Sequence, residues 1–232
     1  MYHAYPGKGY ESGGAANGLA WTTDENLLEW HCLDRPVFEK SPDATSWDGA
    51  GLYSVWIVPR DGTYWLYYNG KSSPRWPWTE QVGVAFAEDG SLTKWRRYEK
   101  NPVCRVGQVG WDRNFVCGQG VMWDARRARW MRYFVGLGGG RGAQDGVAVS
   151  PDGLNWRSYA RPVVPVGRPG EIDATHAHKS NAIWHDGRLW LVYCAVRPLK
   201  DDAERAKFKT ANWNEYRCLT LACSAPFASA ER

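Results

Sequence analysis

The stretch Gly146-Val-Ala-Val-Ser-Pro-Asp-Gly-Leu-Asn-Trp156 decides the fold, because the chain repeats its pattern. Earlier copies run from Gly83 to Trp95 and from Gly18 to Trp30, and each ends on a tryptophan. Equivalent positions of these copies lie 65 and 63 residues apart, and a fourth copy begins 74 residues further on, at Leu221. A fixed period of this length is typical of folds built from successive supersecondary units.

Each repeat also contains an apolar run, a turn and an alternating aromatic run. Tyr64-Trp-Leu-Tyr-Tyr68 alternates as a half-buried strand does, and it follows the turn Asp61-Gly62; Asp186-Gly187 takes the same place in a later repeat. Each repeat therefore predicts four short strands, A to D, and almost no helix. Such repeating four-stranded antiparallel units predict an all-β fold, a β-propeller, in which each blade covers its neighbour's apolar face. A β-sandwich gives no reason for the repeated hairpin, and a β-helix would repeat at a shorter period.

The strand count predicts one propeller domain, residues 1–232, that is incomplete. We expect a partial blade at 1–38, whole blades at 39–103 and 104–165, and a partial blade at 166–232, or about three and a half to four blades. Such an arrangement leaves sheet edges open. Either the chain is a piece of a longer one, which we favour, or other copies complete the ring as a homo-oligomer, or the ring is open.

Composition and charge exclude several classes of function. The chain has 29 Lys and Arg and 25 Asp and Glu without a long basic block, so no nucleic-acid partner is predicted. It has no apolar window long enough to cross a bilayer and no secretory signal in residues 1–20, so we predict a soluble protein without a membrane partner, of undetermined compartment. The six cysteines lack metal-ligand spacing, and neither a metal nor a cofactor is predicted.

Strand order predicts which face carries the chemistry. In an up-and-down blade the B–C and D–A loops share one face, and in this chain these are the long, chemically mixed loops. Three equivalent acids on that face precede the innermost strands, Asp48, Asp112 and Asp173. Two interpretations are open: they are catalytic, or they cap backbone amides before each strand, as their repetition favours.

Differences between the repeats are more informative, since functional sites break symmetry. Asp173 is followed by Ala-Thr-His176-Ala-His178-Lys179, and histidines two positions apart on a strand share a face. Two histidines and a carboxylate in one loop are a weak metal pattern. We therefore predict that His176, His178 and Lys179 bind substrate, with a polar role on the inner strand as the alternative.

Indoles and charges also meet in one long loop of the blade 39–103. Trp76 and Trp78 there suit stacking against a sugar ring, and the alternative is that they pack beneath a neighbouring loop. Tyr53, Gln119 and Arg197 complete the predicted substrate-binding residues, because they lie in or beside the loops of the same face.

Several segments together carry a resemblance to a known family. They are Tyr67-Tyr-Asn-Gly70, Glu80-Gln-Val-Gly-Val-Ala85, Ser150-Pro-Asp-Gly-Leu-Asn-Trp156, and His178-Lys179 followed by Leu191-Val-Tyr-Cys-Ala195. These segments resemble the five-bladed β-propeller glycoside hydrolases, most closely family 43 and its relatives. The resemblance runs across most of the chain, which lacks about one N-terminal blade of that pattern.

The resemblance implies a glycosidase that acts on oligosaccharide or polysaccharide by an inverting mechanism with two carboxyl groups. It implies Asp48, Asp112 and Asp173 as the nearest inner-strand acids, with Glu80 as the candidate proton donor. The blade that carries the family's base is absent, and Cys117-Gly-Gln119 has no carboxylate where relatives often have one. The partner implied is a carbohydrate, and the alternative function is a non-catalytic carbohydrate-binding propeller or a truncated, inactive homologue.

Overall fold

The computed structural model describes residues 2–4, 14–118, 120–208 and 214–225. Within these ranges the chain consists of strands and a single helix, α1 (Asp202–Phe208), which confirms the predicted all-β fold. The strands are β1 (Tyr2–Ala4), β2 (Ala16–Gly18), β3 (Ala20–Trp21), β4 (His31–Cys32), β5 (Gly51–Arg60), β6 (Thr63–Lys71), β7 (Glu80–Ala87), β8 (Trp95–Arg97), β9 (Phe115–Cys117), β10 (Val121–Asp124), β11 (Arg129–Leu137), β12 (Gln144–Ser150), β13 (Arg157–Ser158), β14 (His176–His185), β15 (Arg188–Pro198) and β16 (Glu215–Cys223).

Antiparallel pairing of consecutive strands divides the sheet into units. Unit I is the meander β5-β6-β7-β8, unit II is formed by β9 and β10 with β11, β12 and β13, and unit III is β14-β15-β16. Before them, β1 pairs with β2 and β3 pairs with β4. This order matches the predicted A to D pattern, and the exact blade boundaries stay a prediction.

Tight turns join the first and second strands as the Asp-Gly pairs predicted. Asp61 and Gly62 have φ of 52° and 75°, and Asp186 and Gly187 have φ of 47° and 65°. Two consecutive residues with positive φ match the right-handed twist of the strands that they join. The predicted hairpins at these two positions are confirmed.

The repeated tryptophans close the other hairpin. In each copy the indole N–H donates to the carbonyl oxygen three residues before it, at 2.8 Å for Trp30, 2.9 Å for Trp95 and 2.8 Å for Trp156. The same local bond in three copies explains why the tryptophan recurs with the period of the fold. These indoles are structural.

Apolar clusters connect successive units. One cluster spans units I and II and includes Tyr67, Val84, Val116 and Phe134. Another spans units II and III and includes Tyr133, Val147, Leu191 and Tyr193. Each unit thus covers the apolar face of the next, as the stacking of propeller blades requires.

The first strand of every unit is irregular at one level. β5 has a bulge at Ser54 (φ 37°) and β14 has one at Lys179 (φ 62°), while the break between β9 and β10 holds Gly118 and Gly120 (φ 85°). Bulges re-aim side chains and are common beside functional sites. Across the described residues, no helix combines the length and apolarity that a membrane span requires.

Candidate functional site

One face of the molecule collects the starts of the first and third strands. Glu80, at the start of β7, pairs in parallel with Phe115 of β9, and Gln144 pairs likewise with Ala177 of β14. Strands that run in parallel begin on the same side. Tyr53, Cys117 and His178 hold equivalent positions on this side, one residue before the bulge or break of each first strand. We call these three residues and the loops before them the mouth.

The predicted acid Asp48 is buried and bound inside its own loop. Its carboxylate accepts hydrogen bonds from Ser46 Oγ at 2.6 Å, the Tyr68 hydroxyl at 3.1 Å and Arg97 Nε at 3.0 Å. Burial, followed by the nearby charge of Asp48, raises the pKa of Tyr68 far above its usual value. The carboxylate is therefore fully engaged in the structure of unit I.

Asp112 occupies the equivalent position of unit II and is completely buried. It accepts the backbone N–H groups of Gln108 at 3.2 Å and Val109 at 3.1 Å. Asp173 of unit III is half-buried and accepts the Tyr193 hydroxyl at 2.7 Å. These contacts favour the capping interpretation for Asp48 and Asp112 over the catalytic one, and Asp173 is the least enclosed of the three.

An aromatic wall of three rings borders the mouth between units I and II. The Trp76 and Trp78 rings meet edge to face at 5.1 Å, and Phe115 lies 6.2 Å from Trp76 and 6.1 Å from Trp78, nearly parallel to the latter. Trp76 is exposed over 58% of its surface. The structure therefore leaves one indole of the predicted sugar platform open, and it rejects burial beneath a neighbouring loop for Trp76.

Behind this wall lies a buried polar cluster. The Trp78 indole N–H donates to Glu80 Oε1 at 2.8 Å, and the Lys71 ammonium lies 3.9 Å from the Trp78 ring centroid. Lys71 and Glu80 are direct cross-strand partners, and both are fully buried. Burial raises the pKa of the Cys117 thiol well above its ordinary value, and the Glu80 charge and hydrogen bond raise it further.

Lys71 and Cys117 were missed as site residues by sequence reasoning. Lys71 was visible as a charge at the end of an aromatic strand, which is the usual position of a solvated lysine. Cys117 comes from the next unit, 37 residues after Glu80, and no local pattern connects the two. Only the stacking of the units brings them together.

The two histidines of unit III lie together as their spacing predicted. Their rings stack with centroids 5.2 Å apart, and the Ala143 N–H donates to His176 Nδ1 at 2.8 Å. His178 is 7% exposed. Burial, then the positive charges of Lys179, His176 and Arg217, lower the pKa of His178 to about 3, so its ring is neutral at physiological pH.

Lys179 projects from the bulge beside these histidines and is exposed. Asp145, a residue that sequence reasoning missed, supports the bulge from unit II, since its carboxylate accepts the Ser180 N–H at 3.1 Å. Burial raises the pKa of Asp145 to about 7, against the lowering effect of hydrogen bonds from Ser180 and Lys179. Asn69 plays the same part in unit I, where its side-chain oxygen accepts the Gly118 N–H at 3.3 Å.

The remaining predicted contacts fall in three places. Arg197 forms two 2.8 Å hydrogen bonds with Glu204 of α1 and lies 4.5 Å from the Tyr216 ring, so its guanidinium anchors the helix, a placement that favours a structural role over substrate contact. Tyr53 is buried at the mouth of unit I. Gln119 lies outside the described residues.

Comparison with solved structures identifies the fold as the β-propeller of glycoside hydrolases. A structure described as a glycoside hydrolase matches with a TM-score of 0.69 at 23% identity, over 95% of this chain and 60% of its own. A complex of BT0996 and RGII matches with 0.69 at 24% identity, over 95% and 60%. An alpha-L-arabinofuranosidase from Lactobacillus brevis matches with 0.61 at 10% identity, over 86% and 57%.

No protein-family model and no curated protein matches the chain significantly. The chain spans about three fifths of the first two solved structures, and at these identities the likeness establishes the fold. The predicted propeller of the glycoside hydrolase type is confirmed.

Proposed function

We propose that the protein is a glycoside hydrolase-like propeller that acts on the glycosidic bonds of an oligosaccharide or polysaccharide. The observation that carries this proposal is the aromatic wall of Trp76, Trp78 and Phe115, which stands directly over the buried Glu80 carboxylate. Indoles offer sugars a broad apolar surface with a polar edge. The fold that presents this wall is shared with a glycoside hydrolase and an arabinofuranosidase.

The contacts around Trp78 suit a fixed binding platform. Its ring has the Lys71 ammonium at 3.9 Å, its N–H is held by Glu80 at 2.8 Å, and Trp76 packs against it. A ring held from several sides loses little side-chain freedom when a sugar stacks on it, which lowers the entropic cost of binding. Exposed Trp76 then provides the outer contact.

Glu80 is our candidate proton donor, because it is the carboxyl group next to the wall. An inverting mechanism needs a second carboxylate about 6.5–9.5 Å away, with a water between them. We assign this role to Asp173, which is the least enclosed of the three repeated aspartates. In this proposal Asp48 and Asp112 stabilise their loops and take no part in the reaction.

A carbohydrate-binding propeller without hydrolysis is the second candidate. The observation that favours it is the complete engagement of Asp48 and Asp112 by their own loops, since these are two of the four acids that the family resemblance implied. Such a protein would use the same aromatic wall and would retain its affinity for sugars without turnover.

We further propose that units I to III are blades of a single propeller domain, with the boundaries expected from the repeat. The ring would be completed by further chain or by another copy as a homo-oligomer. Light scattering after size-exclusion chromatography tests the second option, because a complete ring of copies requires a mass that is a multiple of 26.3 kDa.

Turnover of aryl arabinofuranosides, xylosides and related glycosides by the purified chain tests the main proposal. We expect cleavage by the native protein and a loss of at least about 100-fold in Glu80→Gln and in Asp173→Asn, because general acid–base catalysis contributes about 10²–10⁴-fold. Glu88→Gln is the matched control, an exposed glutamate after β7. Sugar binding without any turnover would replace the hydrolase by the binding protein.

A further inference from the structure

The mouth end of unit III differs in charge from that of unit I. β16 starts beside the mouth with Arg217 in the register position that Glu80 holds in β7, since Arg217 pairs with Val196 as Glu80 pairs with Lys71. Lys179 stands at the bulge where unit I has Ser54. One unit therefore presents a carboxylate at this level, and the other presents two cations.

These cations surround a buried and unsatisfied polar atom. His178 Nε2 is enclosed and has no hydrogen-bond partner among the described residues. The charges of Lys179 and Arg217 are close enough to lower the pKa of both His176 and His178. A buried polar atom without a partner costs free energy, and a ligand atom at that position would recover it.

The acids near this cluster do not neutralise it completely. Glu215 pairs with Arg217 at 2.7 Å, and Asp145 is buried beneath the bulge with its carboxylate on the Ser180 N–H. Lys179 is exposed and has no ion pair with any residue that the structure describes. The residual charge at the mouth of unit III is therefore positive, and Lys179 carries it.

The backbone gives a separate reason to assign a role to Lys179. Its φ of 62° lies in the left-handed region, which costs a non-glycine residue about 1–2 kcal/mol. The corresponding break in unit II is built with Gly118 and Gly120. A strained lysine at a position that glycine satisfies indicates that the side chain is needed there.

We propose that Lys179, with the imidazole of His178 beside it, forms a subsite for the carboxylate of a uronic acid residue in the carbohydrate. This rests on the proposed function and names its substrate class: acidic oligosaccharides. One carboxylate oxygen would accept from the Lys179 ammonium and the other from His178 Nε2–H, while the neighbouring sugar extends toward the aromatic wall. Charge-assisted bonds of this kind are about twice as strong as neutral ones.

Calorimetric titration of the full chain with trigalacturonate tests this subsite. The fully methyl-esterified trisaccharide is the neutral comparison, and inorganic phosphate is the plain anion. We expect the acid to bind at least about tenfold more tightly than its ester and than phosphate, a difference of about 1.4 kcal/mol. Equal affinities for acid and ester would overturn the subsite, and phosphate binding as tightly as the acid would replace it by a phosphate site.

Variants assign the effect to the lysine. Lys179→Gln and Lys179→Gly should both lose the preference for the acid, and the glycine variant protects the test against misfolding because it relieves the strained φ. Lys94→Gln, an exposed lysine elsewhere in the chain, should keep the preference. A full preference in either Lys179 variant contradicts the proposal. In the native chain, a tenfold acid preference without turnover would leave the subsite standing and reject hydrolysis, whereas turnover without that preference would reject only the subsite.

Discussion

The mouths of units I and III are built on the same backbone and filled with different chemistry. Unit I places an acid beneath indoles, with Glu80 bonded to Trp78, whereas unit III places stacked histidines beside Lys179. The bulge that aims these side chains recurs in both units. The repeat therefore provides a common frame, and function is carried by the positions at which the side chains depart from it.

The supports of the bulges offer the largest test of this comparison. Asn69 and Asp145 do the same work for Gly118 and Ser180, but only Asp145 can ionise. Its pKa in the folded chain, about 7, lies above the ordinary value of 3.8, so the folded state binds the proton more tightly than the unfolded one. Stability should thus be greatest below about pH 4 for this group and fall by up to about 4 kcal/mol as the pH rises through 7.

Asp145→Asn should imitate Asn69 and remove this pH dependence. Urea unfolding at pH 5 and pH 8 measures the effect, and the variant should be the more stable protein at pH 8. His178 acts in the opposite sense: because its pKa is depressed to about 3, its contribution is present above pH 6.5 and is lost in acid. The same decline in stability between pH 5 and 8 in variant and native chain would show that Asp145 is not its source.

The three repeated aspartates should differ in stability rather than in catalysis alone. Asp48→Ala leaves the Tyr68 hydroxyl and Arg97 without their partner, and removal of one member of a buried pair costs about 3 kcal/mol. Asp173→Ala removes a half-buried acceptor of one hydroxyl and should cost about 1 kcal/mol. Chemical denaturation of both variants checks the order, and equal losses would put Asp173 in the same structural class as Asp48.

Much of the fold could be predicted because its determinants are local. The Asp-Gly turns, the alternating strands and the tryptophan that bonds three residues back are each visible within one repeat. Repetition of the aspartates also pointed to capping. Arg197 was misjudged because its partner lies on α1, seven residues further on, in a charged stretch that shows no strand pattern.

The site was harder to predict because its contacts join different units. Cys117 meets Glu80, and Asp145 meets Ser180, across gaps of 37 and 35 residues. No periodicity marks such pairs, since each arises from how one unit stacks on the next. The stacked histidines were found in advance because both lie on one strand.

The smallest effect separates backbone strain from binding at Lys179. Lys179→Gly should stabilise the chain by at most about 1 kcal/mol, because glycine tolerates φ of 62° but loses more entropy on folding. A thermal melt beside the acid titration measures both properties of one variant. Destabilisation by the glycine would mean that the lysine is held for packing, and the strain would then carry no functional meaning.

A crystal structure of the chain with a bound acidic oligosaccharide tests the central claim most directly, because the molecule offers two aromatic surfaces. One is the wall at the mouth, and the other is a cleft of about 370 Å³ near the turn Asp186-Gly187, lined by Trp123 and Trp184. We predict a sugar ring against Trp76 and a carboxylate within hydrogen-bonding distance of Lys179. A sugar found only in the cleft of Trp123 and Trp184, with the mouth empty, would contradict the assignment of function to the mouth.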